Sequence, residues 1–85
     1  MGRIRIINKP SEEMYGFEGM NKDAAIAFGY PWNYSDKTIL LDQTIHGRER
    51  VRTKIHEIVE KHYMDKGWPY WKAHKKATQA EKIVK

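Results

Sequence analysis

Hydrophobic and polar positions change their period near the middle of this chain. From Arg3 to Asn8 they alternate in twos, with Ile4 and Ile6 on one face and Pro10 closing the run, which predicts a strand. Lys37 to Gln43 carries Ile39, Leu40 and Leu41 in succession and predicts a second strand. Between them, "NKDAAIAFG" offers Asn21 as an N-cap, a helix-forming interior and Gly29 as the stop, so a short helix is expected. "PSEEMYGFEGM" contains two glycines and is read as irregular, with room for a short turn from Ser11. "YPWNYSD" reads as a loop with exposed aromatics, and "TIHG" turns the chain after the second strand.

From about Arg48 the period becomes 3.6. One helix is expected to run to about Lys66, with Gly67 as its C-terminal cap, and a second from Pro69 to about Val84. The fold class is therefore α+β: a small β-sheet with a short helix, followed by a C-terminal antiparallel helical hairpin. Eighty-five residues make a single domain, with the strand part in 1–47 and the hairpin in 48–85.

Helical geometry sorts the side chains of the hairpin. At about 100° per residue, Val51, Ile55, Ile58, Val59 and His62 form one apolar stripe, expected to pack on the sheet or on the next helix, with His62 semi-buried. His56 and Glu60 share the opposite face, one turn apart. On the second helix Ala73, Ala77 and Ala80 make a face suited to close helix approach, and His74 lies at its margin, pointing inward. Folding the hairpin about Gly67 sets Glu60 opposite His74, with His56 in reach of the same point. His56, Glu60 and His74 are thus a candidate three-ligand metal site, two imidazoles and a carboxylate with a fourth position open. Glu81 falls opposite Arg52 and Thr53, as an ion-pair partner or a support behind the site. His46 belongs to a loop outside it. Trp68, Tyr70 and Trp71 near the turn are expected to pack onto the apolar stripe.

Composition narrows the chemistry. The chain has no cysteine, which excludes disulfides and a thiolate zinc site, and leaves a His/carboxylate metal, oligomerisation or packing alone to reinforce a thin core. No run approaches the ~18 apolar residues of a membrane span and the start alternates like a strand, so no membrane association and a cytoplasmic setting are expected. The net charge of +5 favours polyanions weakly. Abundant Lys, Ile and Tyr without cysteine hint at a thermophile. The pattern leaves the oligomeric state open.

At these residues the sequence resembles the zincin metallopeptidases, particularly very small members that are little more than a strand and an active-site helix hairpin. The resemblance covers roughly Thr38 to Glu81: the strand "TILLD", Thr53 just before the motif, His56-Glu57, and His74 on the following helix. Glu60 stands where the family has its second histidine, making HExxE of HExxH, and zinc accepts a carboxylate there. The resemblance implies Zn2+, or another divalent transition metal, and either hydrolysis of a peptide or protein substrate or, in a degenerate relative, metal binding alone. It implies Glu57 as general base and Lys37 to Asp42 as the strand antiparallel to the substrate. Tyr70, nearly in line with His74, and Tyr63 are candidate donors to the oxyanion. Two other functions compete: a small basic protein that binds nucleic acid weakly through the lysines of the last helix or "HGRERVR", and an interaction module presenting Tyr30, Trp32 and Tyr34.

Overall fold

The computed structural model describes residues 3–83. Val84, the expected end of the last helix, lies outside the described residues. Three strands, β1 (Arg5–Lys9), β2 (Gly19–Asn21) and β3 (Thr38–Asp42), alternate with the short helices α1 (Ser11–Met14) and α2 (Lys22–Phe28). The hairpin helices α3 (Gly47–Asp65) and α4 (Tyr70–Glu81) follow. The α+β reading and the helical hairpin hold. The stretch read as irregular instead supplies α1 and β2.

Strand order is β1-β3-β2, with β1 parallel and β2 antiparallel to β3. The central strand is apolar in succession because both its faces are covered: Ile39, Leu40 and Leu41 are all buried. Ile7, Leu40 and Met20 stand in register across the three strands. Leu40 and Met20 join Met14, Ala24 and Ala25 in the core, with Phe17, Tyr30, Trp32, Tyr34 and Tyr70 packed around them. The loop aromatics expected to be exposed are therefore half-buried. Tyr30 also donates to the Glu13 carbonyl at 2.8 Å, and Trp32 Nε1 to that of Ser35 at 3.3 Å.

The alternate positions of β2, Gly19 and Asn21, face α3. The polar side of that helix, not the apolar stripe, therefore faces the sheet, while Ile55, Ile58 and Val59 are half-buried and Ile58 and Val59 border α4. The buried residues of α3 are Thr53, Glu57, Glu60 and Lys61, whereas Val51 is 47% exposed and His62 lies on the surface rather than in the core. The physical reason is what the sheet offers. Gly19 has no side chain, so the Thr53 and Glu57 side chains sit directly on the strand, and the Asn21 amide supplies hydrogen bonds that an apolar stripe could not use.

The hairpin closes as expected, with Gly67 at φ 94° and its N–H donating to the Met64 carbonyl at 2.9 Å. Ala73 and Ala77 are buried against α3. Trp68 stacks on Tyr63, ring centroids 4.3 Å apart, and Tyr70 joins the core, but Trp71 is 71% exposed and does not pack as expected.

A Cβ at Gly19 would lie 2.7 Å from Glu57 Cγ and 2.9 Å from Thr53 Cγ2. Gly19→Ala is expected to destabilise the protein by about 1–3 kcal/mol, read by urea denaturation. An unchanged midpoint would show that α3 is not seated on β2.

Candidate metal centre

Three ligand atoms converge between α3, α4 and β2. Glu60 Oε2 lies 3.0 Å from His56 Nε2 and 2.9 Å from His74 Nδ1, and the two imidazole nitrogens are 3.2 Å apart. Helix α3 brings His56 and Glu60 together because they are one turn apart, and the hairpin turn at Gly67 delivers His74 from α4. These three residues, named from spacing alone, form the tightest candidate metal group among the described residues.

The triangle suits a small divalent ion. Three ligands at about 2.0–2.1 Å from a tetrahedral zinc stand about 3.3–3.4 Å apart, slightly wider than these separations. Protons fit the same atoms poorly. If both imidazoles donate to Glu60, two N–H groups face each other; if one imidazole donates to the other, the acceptor nitrogen faces the carboxylate. With Glu60 ionised, as its lowered titration favours, every arrangement leaves at least one pair mismatched, and a cation at the centre removes the conflict.

The carboxylates are held from behind by Asn21. Its Nδ2 donates to Glu57 Oε1 and to Glu60 Oε1, each at 3.1 Å, while its Oδ1 caps α2 by accepting from Ala24 N at 2.9 Å. This leaves Glu60 Oε2 for the two histidines. Asn21 was legible in the sequence as a helix cap, but nothing there linked it to α3. Glu81 Oε2 lies 3.1 Å from His56 Nδ1. With a metal bound, a hydrogen bond from Nδ1–H to Glu81 would leave the Nε2 lone pair for the ion, the usual support behind a metal-binding imidazole. Tyr70 Oη is 3.3 Å from His74 Nδ1, its ring stacked on the imidazole. Tyr63 packs against Trp68 and His62, away from the triad, and His46 precedes α3 in an exposed position.

Burial and neighbouring charge shape the titration of these groups. Burial, with the charge of Glu60 beside it, pushes the Glu57 carboxyl up to about 8. Burial also opposes ionisation of Glu60, but hydrogen bonds from His56, His74 and Asn21 outweigh it and hold that carboxyl below its ordinary value. For His56, burial disfavours the imidazolium. The hydrogen bond to Glu60 and the charges of Glu57, Glu60 and Glu81 prevail and raise it. Tyr70 is pushed up to about 12 by burial and by the Glu60 and Glu57 charges. Among the described residues no buried side-chain polar atom lacks a partner.

Beside the triad lies an open cavity of about 270 Å³ whose lining includes Gly19, Met20, Phe28 and Glu57 as well as the triad. One inference from the resemblance fails here. β3 is the central strand, paired on both edges by β1 and β2, so it has no edge left for a substrate. The sheet edge beside the cavity is β2. No known protein-family model, curated protein sequence or solved structure matches this chain. The zincin likeness thus remains a resemblance in the motif residues.

Two outcomes are expected. Asn21→Asp retains the oxygen that caps α2 but replaces the bridging donor with a third carboxylate, and Asn21→Ser retains a cap without the reach. Both should bind zinc about 10–100-fold more weakly by calorimetric titration, with helix content preserved. Unchanged affinity would remove Asn21 from the site.

The second concerns pH. In chelator-treated protein, Glu57 keeps its proton up to about 8 when folded but loses it near its ordinary 4.5 when unfolded. The native state thus holds the extra proton in that window, and stability falls as pH rises through it. The raised His56 acts in the same direction, while the lowered Glu60 withdraws its contribution below the ordinary carboxylate range. Urea denaturation should show greatest stability in mild acid. Added zinc, which displaces protons, should reverse the slope; parallel curves with and without zinc would contradict this.

Proposed function

We propose that this protein is a small metal-dependent hydrolase, of the zincin-like metallopeptidase type, with His56, Glu60 and His74 holding zinc or another divalent transition metal. The observation that carries the reading is the convergence of two imidazole nitrogens and one carboxylate oxygen within 2.9–3.2 Å of one another. A divalent ion there would supply the Lewis acidity that amide hydrolysis requires.

The chain's own groups divide the remaining work. Glu57 lines the cavity beside the triad, and a buried carboxyl raised toward neutrality suits a general base that takes a proton from the attacking water and returns it to the leaving amine. Tyr70 Oη lies 3.3 Å from His74 Nδ1 and would donate to the oxygen of a substrate carbonyl. Glu81 orients His56. A peptide or protein substrate would enter across the β2 edge, the sheet edge beside the cavity. No helix among the described residues is long and apolar enough to cross a membrane; the cytoplasmic setting belongs to this proposal.

A second reading, weak nucleic-acid binding, is favoured by one surface. Trp68, Lys72, Lys75 and Lys76 line a shallow groove on the outward side of α4, with Lys72 Nζ 4.5 Å from the centre of the Trp68 ring. The exposed Trp71 of the same helix offers a further stacking surface. The interaction-module reading loses its patch, because Tyr30, Trp32 and Tyr34 are packed against the core.

The test is metal content by mass spectrometry, followed by zinc titration. About one equivalent is expected in the parent, and loss of at least about tenfold in affinity in His56→Ala and His74→Ala. Glu57→Gln should retain zinc while peptide hydrolysis falls by about 10²–10⁴-fold. A parent that takes up no zinc, or any other first-row divalent ion, overturns the reading. A salt-dependent mobility shift with single-stranded DNA would support the second one.

A further inference from the structure

The cavity beside the triad has a composition unlike the rest of the molecule. Lysine and arginine supply 16 of the 85 residues, yet among the described residues none lines it. Four of its thirteen lining residues are glutamates, Glu18, Glu57, Glu60 and Glu81, although acids number only 11 in the chain. The charge balance of this concavity is thus the reverse of the chain's. Part of the remaining wall is a row of aromatic rings: Phe17 lies 5.4 Å from Phe28, and Phe28 stands edge-on to Tyr70 at 5.2 Å.

Each carboxylate has a different task. Glu60 faces the histidines, Glu57 bonds Asn21, and Glu81 bonds His56. Glu18 accepts a long hydrogen bond from Thr53 Oγ1, at 3.2 Å, and sits exposed at the rim. It is the carboxylate whose charge faces what enters. Even with a divalent ion in place, three or four carboxylates leave the cavity net negative. A phosphate or carboxylate group would be repelled. An ammonium would be attracted both by the carboxylates and by the aromatic faces. A volume of about 270 Å³ is below the usual range for ligand pockets, which suits one side chain rather than an extended peptide.

We infer that this cavity takes a cationic amine carried on a single apolar or aromatic group, as at the free amino terminus of a peptide, and that Glu18 reads the charge. This rests on the cavity being the substrate pocket of the proposed metal site, so the test is run with and without metal. Three probes of one shape separate charge from shape: 2-phenylethylamine, 2-phenylethanol and phenylacetate. Each is titrated at neutral pH into isotope-labelled, chelator-treated protein, following the amide signals of Phe17, Gly19, Thr53 and Tyr70. The amine and the alcohol are repeated with zinc-loaded protein.

The amine is expected to bind about tenfold more tightly than the alcohol, and phenylacetate to give no saturable shift. Glu18→Gln, which keeps the acceptor for Thr53, should reduce the preference to about threefold or less while the amide spectrum reports an intact fold. Equal binding of amine and alcohol, or saturable phenylacetate binding in the metal-free protein, overturns the proposal. A preference unchanged in Glu18→Gln overturns the role of that residue. Failure of zinc uptake sinks the metal reading separately, since the metal-free titrations decide the order of the three probes.

Discussion

One buried amide organises this protein. The Asn21 side chain caps α2 with its oxygen and binds Glu57 and Glu60 with its nitrogen. Two carboxylates buried together repel each other and lose hydration, a cost that either proton uptake or good hydrogen bonding must offset. Asn21 supplies part of that compensation on one side, and His56 and His74 supply the rest on the other. The seating of α3 on the sheet depends on it, because the helix turns its polar face inward only where that face finds partners.

The arrangement follows from the smallness of the core. Met14, Met20, Ala24, Ala25 and Leu40 form a limited apolar cluster, and the sheet face under α3 is partly glycine and asparagine. A chain of this size buries a modest fraction of its surface, and here part of that fraction is occupied by ionisable groups. Metal uptake would convert the least favourable part of the interior into a cross-link between α3 and α4. Stability and ligand binding would then be the same event seen by two measurements.

Charge is divided between two sides of the hairpin. The outward face of α4 carries Lys72, Lys75 and Lys76, whereas Glu81 of the same helix turns to His56. The negative cavity and the positive exterior are therefore separated by one helix, and the net charge of +5 is the sum over both. A summed charge is a sound guide to long-range attraction and a poor one to what a pocket will accept.

The sequence by itself determined the elements whose signals are local. β3 was readable from consecutive apolar residues, α2 from its asparagine and glycine ends, and the hairpin from Gly67. The triad was readable too, because helix period and hairpin reflection are fixed geometry: residues one turn apart share a face, and Glu60 and His74 are equidistant from the turn. Tertiary structure decided the rest. β2 is three residues long and exists because β3 offers it an edge. The direction faced by α3 was invisible for a related reason. An amphipathic pattern says that two faces differ, but which one is buried depends on the partner. Here the partner was a glycine and an asparagine more than thirty residues away, matched to carboxylates rather than to Val51 and Ile55.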